Sequence, residues 1–266
     1  MQKNPLTNIK LFLFDLDGTL IDTAPDFLTS LNNVLAENNR DLVHLDDIRQ
    51  FISDGSGKLV EVGFGIDSDH EKFNELKSAL LTEYKKNLTC LSKLFDGVKD
   101  LIDFLNKKNI VYGIVTNKPF EYAKPIIEFF DELRDCKILI CPDHVRKAKP
   151  DPEGINLACN KLDISPNLAC YVGDHDVDIA AGLAANVPVF ACEYGYGSFK
   201  KPSQSKEIRI KDPREIIQLI GDILGKKVKY KFVEDRLGHD KRYAIKSNIA
   251  PKFKLKTLEQ YLKEQL

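Results

Sequence analysis

Two apolar rhythms alternate along this chain. Short, nearly unbroken apolar runs that end in polar turns occur at Leu11 to Phe14, Ile110 to Val115, Lys137 to Cys141, Leu168 to Val172 and Val187 to Cys192. Runs of that kind, bounded by turn residues, read as strands buried on both faces, as in a parallel sheet. Between the first run and the second the spacing changes to that of a helix. Pro25 to Glu37 carries Phe27, Leu28, Leu31, Val34 and Leu35, and Asp69 to Leu88 carries Phe73, Leu76, Leu80, Leu81, Tyr84 and Leu88. Both are amphipathic stripes, and no strand pattern interrupts them. Phe95-Asp96-Gly97-Val98 leads a further helix to Asn109. The pattern predicts an α/β protein, with a doubly wound, Rossmann-like, mostly parallel sheet built from residues 1–22 and 92–225. A helical domain, residues 23–91, is inserted after the first strand. From about Gly225 the text changes again. Lys226 to Phe232 alternates charged and apolar residues as an extended segment would, so residues 226–266 are set apart as a short C-terminal appendage.

Chemistry collects where the strands end. Asp15 closes the first run, at the carboxyl end where open α/β sheets place their ligands. Asp17 follows two residues later, an interval that returns an extended backbone to the same side. Gly18 lets the chain turn away and Thr19 adds a hydroxyl. The second run ends in Thr116-Asn117-Lys118-Pro119, with Pro119 suited to the first turn of a helix. After the third comes Lys147-Ala148-Lys149-Pro150-Asp151-Pro152, where two prolines stiffen a loop before a helix. The fourth delivers Gly173-Asp174-His175-Asp176-Val177-Asp178, and Asp178 would lie one helical turn beyond Asp174 on the same face. Asp15, Asp17, Asp174 and Asp178 are therefore expected to gather at one edge.

Asp15-Leu16-Asp17-Gly18-Thr19-Leu20 resembles motif I, DxDGTL, of the haloacid dehalogenase-like phosphatases. Thr116 resembles that family's motif II, Lys149 its motif III lysine, and Gly173-Asp174-His175-Asp176-Val177-Asp178 its motif IV, GDxxxD. The resemblance covers residues 11 to 200 and implies a type 1 helical cap over the site. It implies that Asp15 attacks phosphorus to form an aspartyl-phosphate, and that Asp17 acts as acid and then base. Thr116, Asn117 and Lys149 would hold the phosphoryl group. Lys147 competes with Lys149 for the lysine role, and Asp178 is a supporting carboxylate. His175 is read as a shell residue facing solvent or the cap.

Two like charges about 4 Å apart cost on the order of 4 kcal/mol at an effective dielectric of about 20. Such a cluster facing a phosphate needs cations. Few carboxylates, phosphate oxygens and waters suit Mg2+ better than Ca2+, and no His/Cys cluster suggests zinc. By resemblance the metal ligands are Asp15, the backbone carbonyl of Asp17, and Asp174.

Within the helical insert, Ile52 to Leu59 is a Gly/Ser turn running into a helix. It is either an ordinary interhelical turn or an anion site formed by free N–H groups with Lys58 nearby. The segment is similar to the cap loop of phosphoglycolate phosphatases, which makes Ser56, Gly57 and Lys58 candidate substrate contacts. Tyr171 to His175, the Ala181 to Ala185 run and Tyr194-Gly195-Tyr196-Gly197 resemble the same enzymes. The expected reaction is hydrolysis of 2-phosphoglycolate. A sugar-phosphate phosphatase is close behind, and a phosphosugar mutase such as a β-phosphoglucomutase is the alternative on this fold.

Composition narrows the partners. The chain has 266 residues, 43% of them hydrophobic, enough for one good core and a small accessory domain. Lys and Arg number 39 against 40 Asp and Glu, so no global field draws the protein to nucleic acid or membrane. No apolar stretch approaches the roughly 20 residues a membrane span needs. Met1 to Asn8 has no apolar core of a signal peptide. The six cysteines show no regular pairing, and Cys159, Cys170 and Cys192 read as small buried hydrophobes in a cytoplasmic protein.

Val233 to Ile245 is similar to a C-terminal segment of dTDP-glucose 4,6-dehydratases, with Leu237 where proline is usual. That family's Gly-rich dinucleotide turn is missing, so its reaction is excluded. Arg236, His239 and Arg242 would at most form a remnant anion patch; the favoured reading is a packing or interaction appendage. A binding protein using this tail, with an idle core, is the non-enzyme alternative.

Overall fold

The structure is a computed structural model that describes residues 9–197, 199 and 207–223 and the backbone of two short strands beyond them. Along the chain run β1 (Leu11–Phe14), β2 (Ile21–Asp22), α1 (Ala24–Glu37), α2 (Leu45–Ile48), a 3-10 turn at Arg49–Asp54, α3 (Ser56–Phe64), α4 (Phe73–Asn87) and β3 (Lys93–Leu94). There follow α5 (Val98–Lys107), β4 (Val111–Val115), α6 (Phe120–Phe129), β5 (Leu139–Ile140), α7 (Glu153–Lys161), β6 (Ala169–Gly173), α8 (Asp176–Ala184), β7 (Val189–Cys192), β8 (Glu207–Ile210) and α9 (Arg214–Ile223). Finally β9 (Lys229–Lys231) pairs antiparallel with β10 (Ala244–Lys246).

Six strands form one sheet in the order β5-β4-β1-β6-β7-β8, and every pairing in it is parallel. β1 lies in the middle, with Leu11 opposite both Val111 and Ala169. Its four residues are apolar because both faces are covered. Phe12 and Phe14 pack with Leu101, Leu105 and Ile216 on one face, while Leu11 and Leu13 pack with Ile155, Ala158 and Ala181 on the other. The two-residue period of a strand thus divides one short segment between two cores. Cys159, Cys170 and Cys192 are buried in these layers. β8 adds a sixth strand that the apolar runs do not announce: Glu207-Ile208-Arg209-Ile210 sits at the edge, where half its positions stay polar.

The helices between β2 and β3 have a core of their own. Phe27, Leu31, Val34 and Leu35 of α1 meet Leu59, Val60 and Phe64 of α3 and Phe73, Leu76, Leu80 and Tyr84 of α4. The chain enters and leaves this layer at one place, where β2 pairs antiparallel with β3. Asp26, fully buried in the first turn of α1, fastens that point. Its Oδ1 accepts the Leu91 N–H at 2.7 Å, and its Oδ2 accepts the N–H of Ser92 at 3.2 Å and the Ser92 hydroxyl. A buried carboxylate needs such donors, because an unpaired one would not stay charged. The readings made for Val233 to Ile245 and for Arg236, His239 and Arg242 lie almost wholly outside the described residues. No helix among the described residues is long and apolar enough to cross a membrane.

Candidate active site

The carboxyl ends of β1, β4 and β6 converge, and each contributes to one buried cluster. Asp15 follows β1 directly, and Asp174 follows β6. Asp178 stands in the first turn of α8, where its Oδ2 accepts the His175 N–H at 3.0 Å and caps the helix. Oxygen atoms of Asp15, Asp174 and Asp178 all lie within 4.8 Å of one another. At an effective dielectric of about 20, each pair of full charges that close repels by at least about 3.5 kcal/mol. Lys149 answers part of this. Its Nζ lies 2.8 Å from Asp15 Oδ1, 2.6 Å from Asp178 Oδ1 and 2.9 Å from the Tyr171 hydroxyl, which in turn donates to the Val115 carbonyl at 2.7 Å.

The protonation balance follows from burial and neighbours. Burial and the charge of Asp178 raise the Asp15 carboxyl above its ordinary 3.8, against the pull of Lys149. Burial, Asp178 and Asp15 push Asp174 well above that value. Burial would lower the Lys149 ammonium, but Asp15 and Asp178 hold it above the usual lysine range.

Asp174 sits in a cradle of backbone. Its Oδ1 accepts the Thr19 hydroxyl at 3.0 Å, and its Oδ2 accepts the Tyr196 N–H at 2.9 Å and the Gly197 N–H at 3.3 Å. The approach is close enough that a Cβ on Gly18, itself at φ +80°, would lie 2.2 Å from Asp174 Oδ2. Thr116 is buried at the end of β4. The Asn117 side chain is engaged with the Lys149 backbone, donating to its carbonyl at 2.9 Å and accepting its N–H at 3.0 Å. Lys147 points away, three-quarters exposed and 4.0 Å from Asp151.

A carboxylate cluster with one buried lysine, set at the ends of parallel strands, matches a known design. The model of the haloacid dehalogenase-like hydrolases matches residues 12–192. The chain belongs to the haloacid dehalogenase-like hydrolases. Among the relatives of this hydrolase is the N-acetylmuramic acid 6-phosphate phosphatase of Pseudomonas putida, 39% identical over 188 residues that make up 71% of this chain and 84% of that one. The phosphoglycolate phosphatase of Xylella fastidiosa is 37% identical over 186 residues, 70% of this chain and 81% of that one. A solved structure described as a predicted phosphoglycolate phosphatase from Haemophilus somnus superposes with a TM-score of 0.70 at 26% identity, covering 80% of this chain and 98% of that one.

The hydrolase departs from the expected gathering of four carboxylates in one respect. Asp17 stands outside the cluster of three. Its Oδ1 accepts the Thr23 hydroxyl at 2.5 Å and lies 3.0 Å from Lys118 Nζ, and its Oδ2 lies 3.2 Å from the same ammonium. The physical reason is Lys118, which the sequence reading passed over between Asn117 and Pro119. Its side chain is only 4% exposed. The ammonium also donates to the Tyr84 hydroxyl at 2.8 Å and lies 4.9 Å and 4.6 Å from the ring centres of Phe27 and Tyr84, which stack on each other. A lysine directly after a strand-end Thr-Asn was the available signal; its aromatic partners belong to α1 and α4.

The helical layer touches the cluster elsewhere too. The Ser53 hydroxyl donates to Asp174 Oδ2 at 3.4 Å, and His175 Nε2 lies 3.3 Å from Asp54 Oδ1. His175 thus faces this layer rather than joining the carboxylates. Lys58 is paired with Glu61 at 2.9 Å on its own helix, and Gly57 lies beside Phe73. Ser56 opens α3 after Gly55, whose φ of 92° makes the turn.

The residues fit a divalent metal. Asp15 Oδ1 is buried and, although 2.8 Å from Lys149 Nζ, receives no aligned hydrogen bond. Three carboxylates against one ammonium leave a net negative pocket of hard oxygen donors.

Proposed function

We propose that this hydrolase is a Mg2+-dependent phosphomonoesterase that works through an aspartyl-phosphate on Asp15. The carrying observation is that two carboxylates two residues apart are held by different partners. Asp15 lies in the cluster against Lys149, while Asp17 stands aside against Thr23 and Lys118. One carboxylate held in the cluster and one held apart from it can take the separate roles of nucleophile and acid–base. Asp15, Asp174 and the Asp17 carbonyl would hold Mg2+, with Asp178 close by. Bound there, the metal would neutralise charge on the phosphoryl oxygens.

The protein's own steps then follow. Asp15 attacks phosphorus, and the bond from phosphorus to the ester oxygen breaks. Asp17, entering protonated, gives its proton to that oxygen and releases the alcohol. The Asp17 carboxylate next takes a proton from water as the water oxygen attacks phosphorus, and the Asp15–phosphorus bond breaks. Thr116 and Lys149 hold the phosphoryl oxygens throughout. The helical layer 23–91 acts as the cap and residues 226–266 as an appendage. The setting is cytoplasmic and the partner a small phosphate ester.

For the substrate we favour a phosphate monoester that also carries a carboxylate. N-acetylmuramic acid 6-phosphate is the first candidate, supported by the 39% identity to the Pseudomonas putida phosphatase. 2-Phosphoglycolate is the second, supported by the 37% identity to the Xylella fastidiosa enzyme. Both have a phosphorylated primary alcohol and an acid group. The test is phosphate release by purified protein with Mg2+ over a panel holding both esters and hexose phosphates, with Asp15→Asn as blank and EDTA as control. Mg2+-dependent release above the blank is expected, fastest for one of the two carboxylated esters. An isomerised sugar phosphate in place of free phosphate would replace hydrolysis with a mutase. No release above the blank would refute the reading.

A further inference from the structure

Among the described residues the buried Lys118 has a single charged partner, the side chain that the reaction must call away. Its Nζ lies 3.0 Å from Asp17 Oδ1, 3.2 Å from Asp17 Oδ2 and 2.8 Å from the Tyr84 hydroxyl, and the rings of Phe27 and Tyr84 lie against it. For Asp17 to act at Asp15 its carboxyl must turn away from Lys118 and toward the phosphoryl group. At that moment the ammonium would be left nine-tenths buried with no counter-charge. A buried charge whose partner is removed is strongly destabilised. An anion must therefore replace Asp17, and the substrate is its source, because Lys118 is only 4% exposed and packs against Phe27 and Tyr84, away from free solvent ions.

On the phosphomonoesterase reading Lys149 and Thr116 hold the transferring phosphoryl group, and a metal bound by the carboxylate cluster would neutralise its charge. Lys118 lies on the other side of Asp17, toward the helical layer, where the rest of the substrate must be accommodated. We infer that Lys118 is the receptor for a second anionic group of the substrate, a carboxylate, and that this carboxylate displaces Asp17 from Lys118 so that Asp17 is released for proton transfer only when the correct ester is bound. The inference rests on the phosphomonoesterase reading above and deepens it. Lys118 becomes a specificity residue: an ester without the second anion leaves the ammonium paired to Asp17 and keeps the acid out of place.

Two matched pairs of substrates test it: 2-phosphoglycolate against ethyl phosphate, and N-acetylmuramic acid 6-phosphate against N-acetylglucosamine 6-phosphate. The wild type should prefer the carboxylated member of at least one pair by roughly 10- to 100-fold in kcat/KM, the range expected of one charge-assisted contact in a dry site. In Lys118→Met that preference should collapse to less than about threefold, chiefly through the carboxylated ester. Lys118→Gln, which keeps a donor and the length of the stem, covers the case in which the apolar variant fails to fold; it should lose the preference in the same direction. Tyr84→Phe removes the hydroxyl while keeping the ring and should weaken the preference without abolishing turnover. If the wild type hydrolyses both members of each pair equally, or if Lys118→Met slows both by the same factor, Lys118 merely positions Asp17 and the inference is overturned. If the wild type releases no phosphate above the Asp15→Asn blank from any ester, the phosphomonoesterase reading falls instead.

Discussion

Replacing Lys149 by Met leaves Asp15, Asp174 and Asp178 buried together with no internal cation. The wild-type ammonium is 2.8 Å from one carboxylate and 2.6 Å from another, contacts worth about 6 kcal/mol each at an effective dielectric of about 20. Burying the three charges offsets much of that, and removing one partner of a buried pair costs roughly 3–5 kcal/mol net. Methionine keeps most of the stem, so the loss is chiefly electrostatic. Its pH dependence is therefore diagnostic. Asp15 and Asp174 have folded-state pKa values raised above 3.8, and Lys149 is what holds Asp15 down, so the variant raises Asp15 further. A carboxyl with a raised folded pKa binds protons more readily when folded, so stability falls as pH rises through that value and recovers as pH falls. Urea denaturation in EDTA should show the variant weaker than wild type by about 3–5 kcal/mol near pH 8, with the gap narrowing steadily toward about pH 5. Added Mg2+ should stabilise the variant if the cluster accepts the ion. A gap of the same size at both pH values would mean that lost packing, not uncompensated charge, sets the cost, and would refute the electrostatic account.

Asp15→Asn should lose phosphate release to the level of the blank reaction while melting at or above the wild-type temperature in EDTA, because one of three crowded charges is gone; differential scanning fluorimetry beside the activity assay checks both halves. Gly18→Ala should reduce activity at least tenfold and lower stability by about 1–3 kcal/mol, since the turn holds φ at +80° and the new methyl collides with Asp174. Asp26→Ala should cost about 2–4 kcal/mol in urea denaturation, through the orphaned N–H groups of Leu91 and Ser92, and should raise amide exchange at those two positions.

The strands that were easiest to read are those buried on both faces. Leu11 to Phe14 is apolar throughout because two layers cover it, so the run itself is the signal. The strand-end residues were legible for a related reason: a polar group directly after such a run must sit at the sheet's edge. β8 was not legible. As an edge strand it alternates charged and apolar residues, and it resembles an exposed segment until Val189 to Cys192 is seen beside it. Lys118 and Asp26 were missed because what makes them important lies far away in sequence. Tyr84 is 34 positions from Lys118, and Leu91 is 65 from Asp26. A buried charge declares itself only through partners that folding assembles. Asp17 shows the same limit: its spacing after Asp15 fixed its side of the strand end, but Lys118 and Thr23 decide where the carboxylate rests.

The antiparallel pairing of Ile21–Asp22 with Lys93–Leu94 has an evolutionary consequence. Where two chain segments pair as neighbouring strands, they stand about 4.8 Å apart. Everything between them is a detour that leaves and rejoins the α/β core at one doorway, the two-stranded ribbon of β2 and β3. Such a detour can be lengthened, shortened or exchanged without altering the register of β1 with β4, because the ends it must meet do not move. The strand that carries Asp15 and the helices that face it can therefore diverge at different speeds. A chimera carrying another protein's helices between Asp22 and Lys93 would graft a new taste onto an unchanged chemistry.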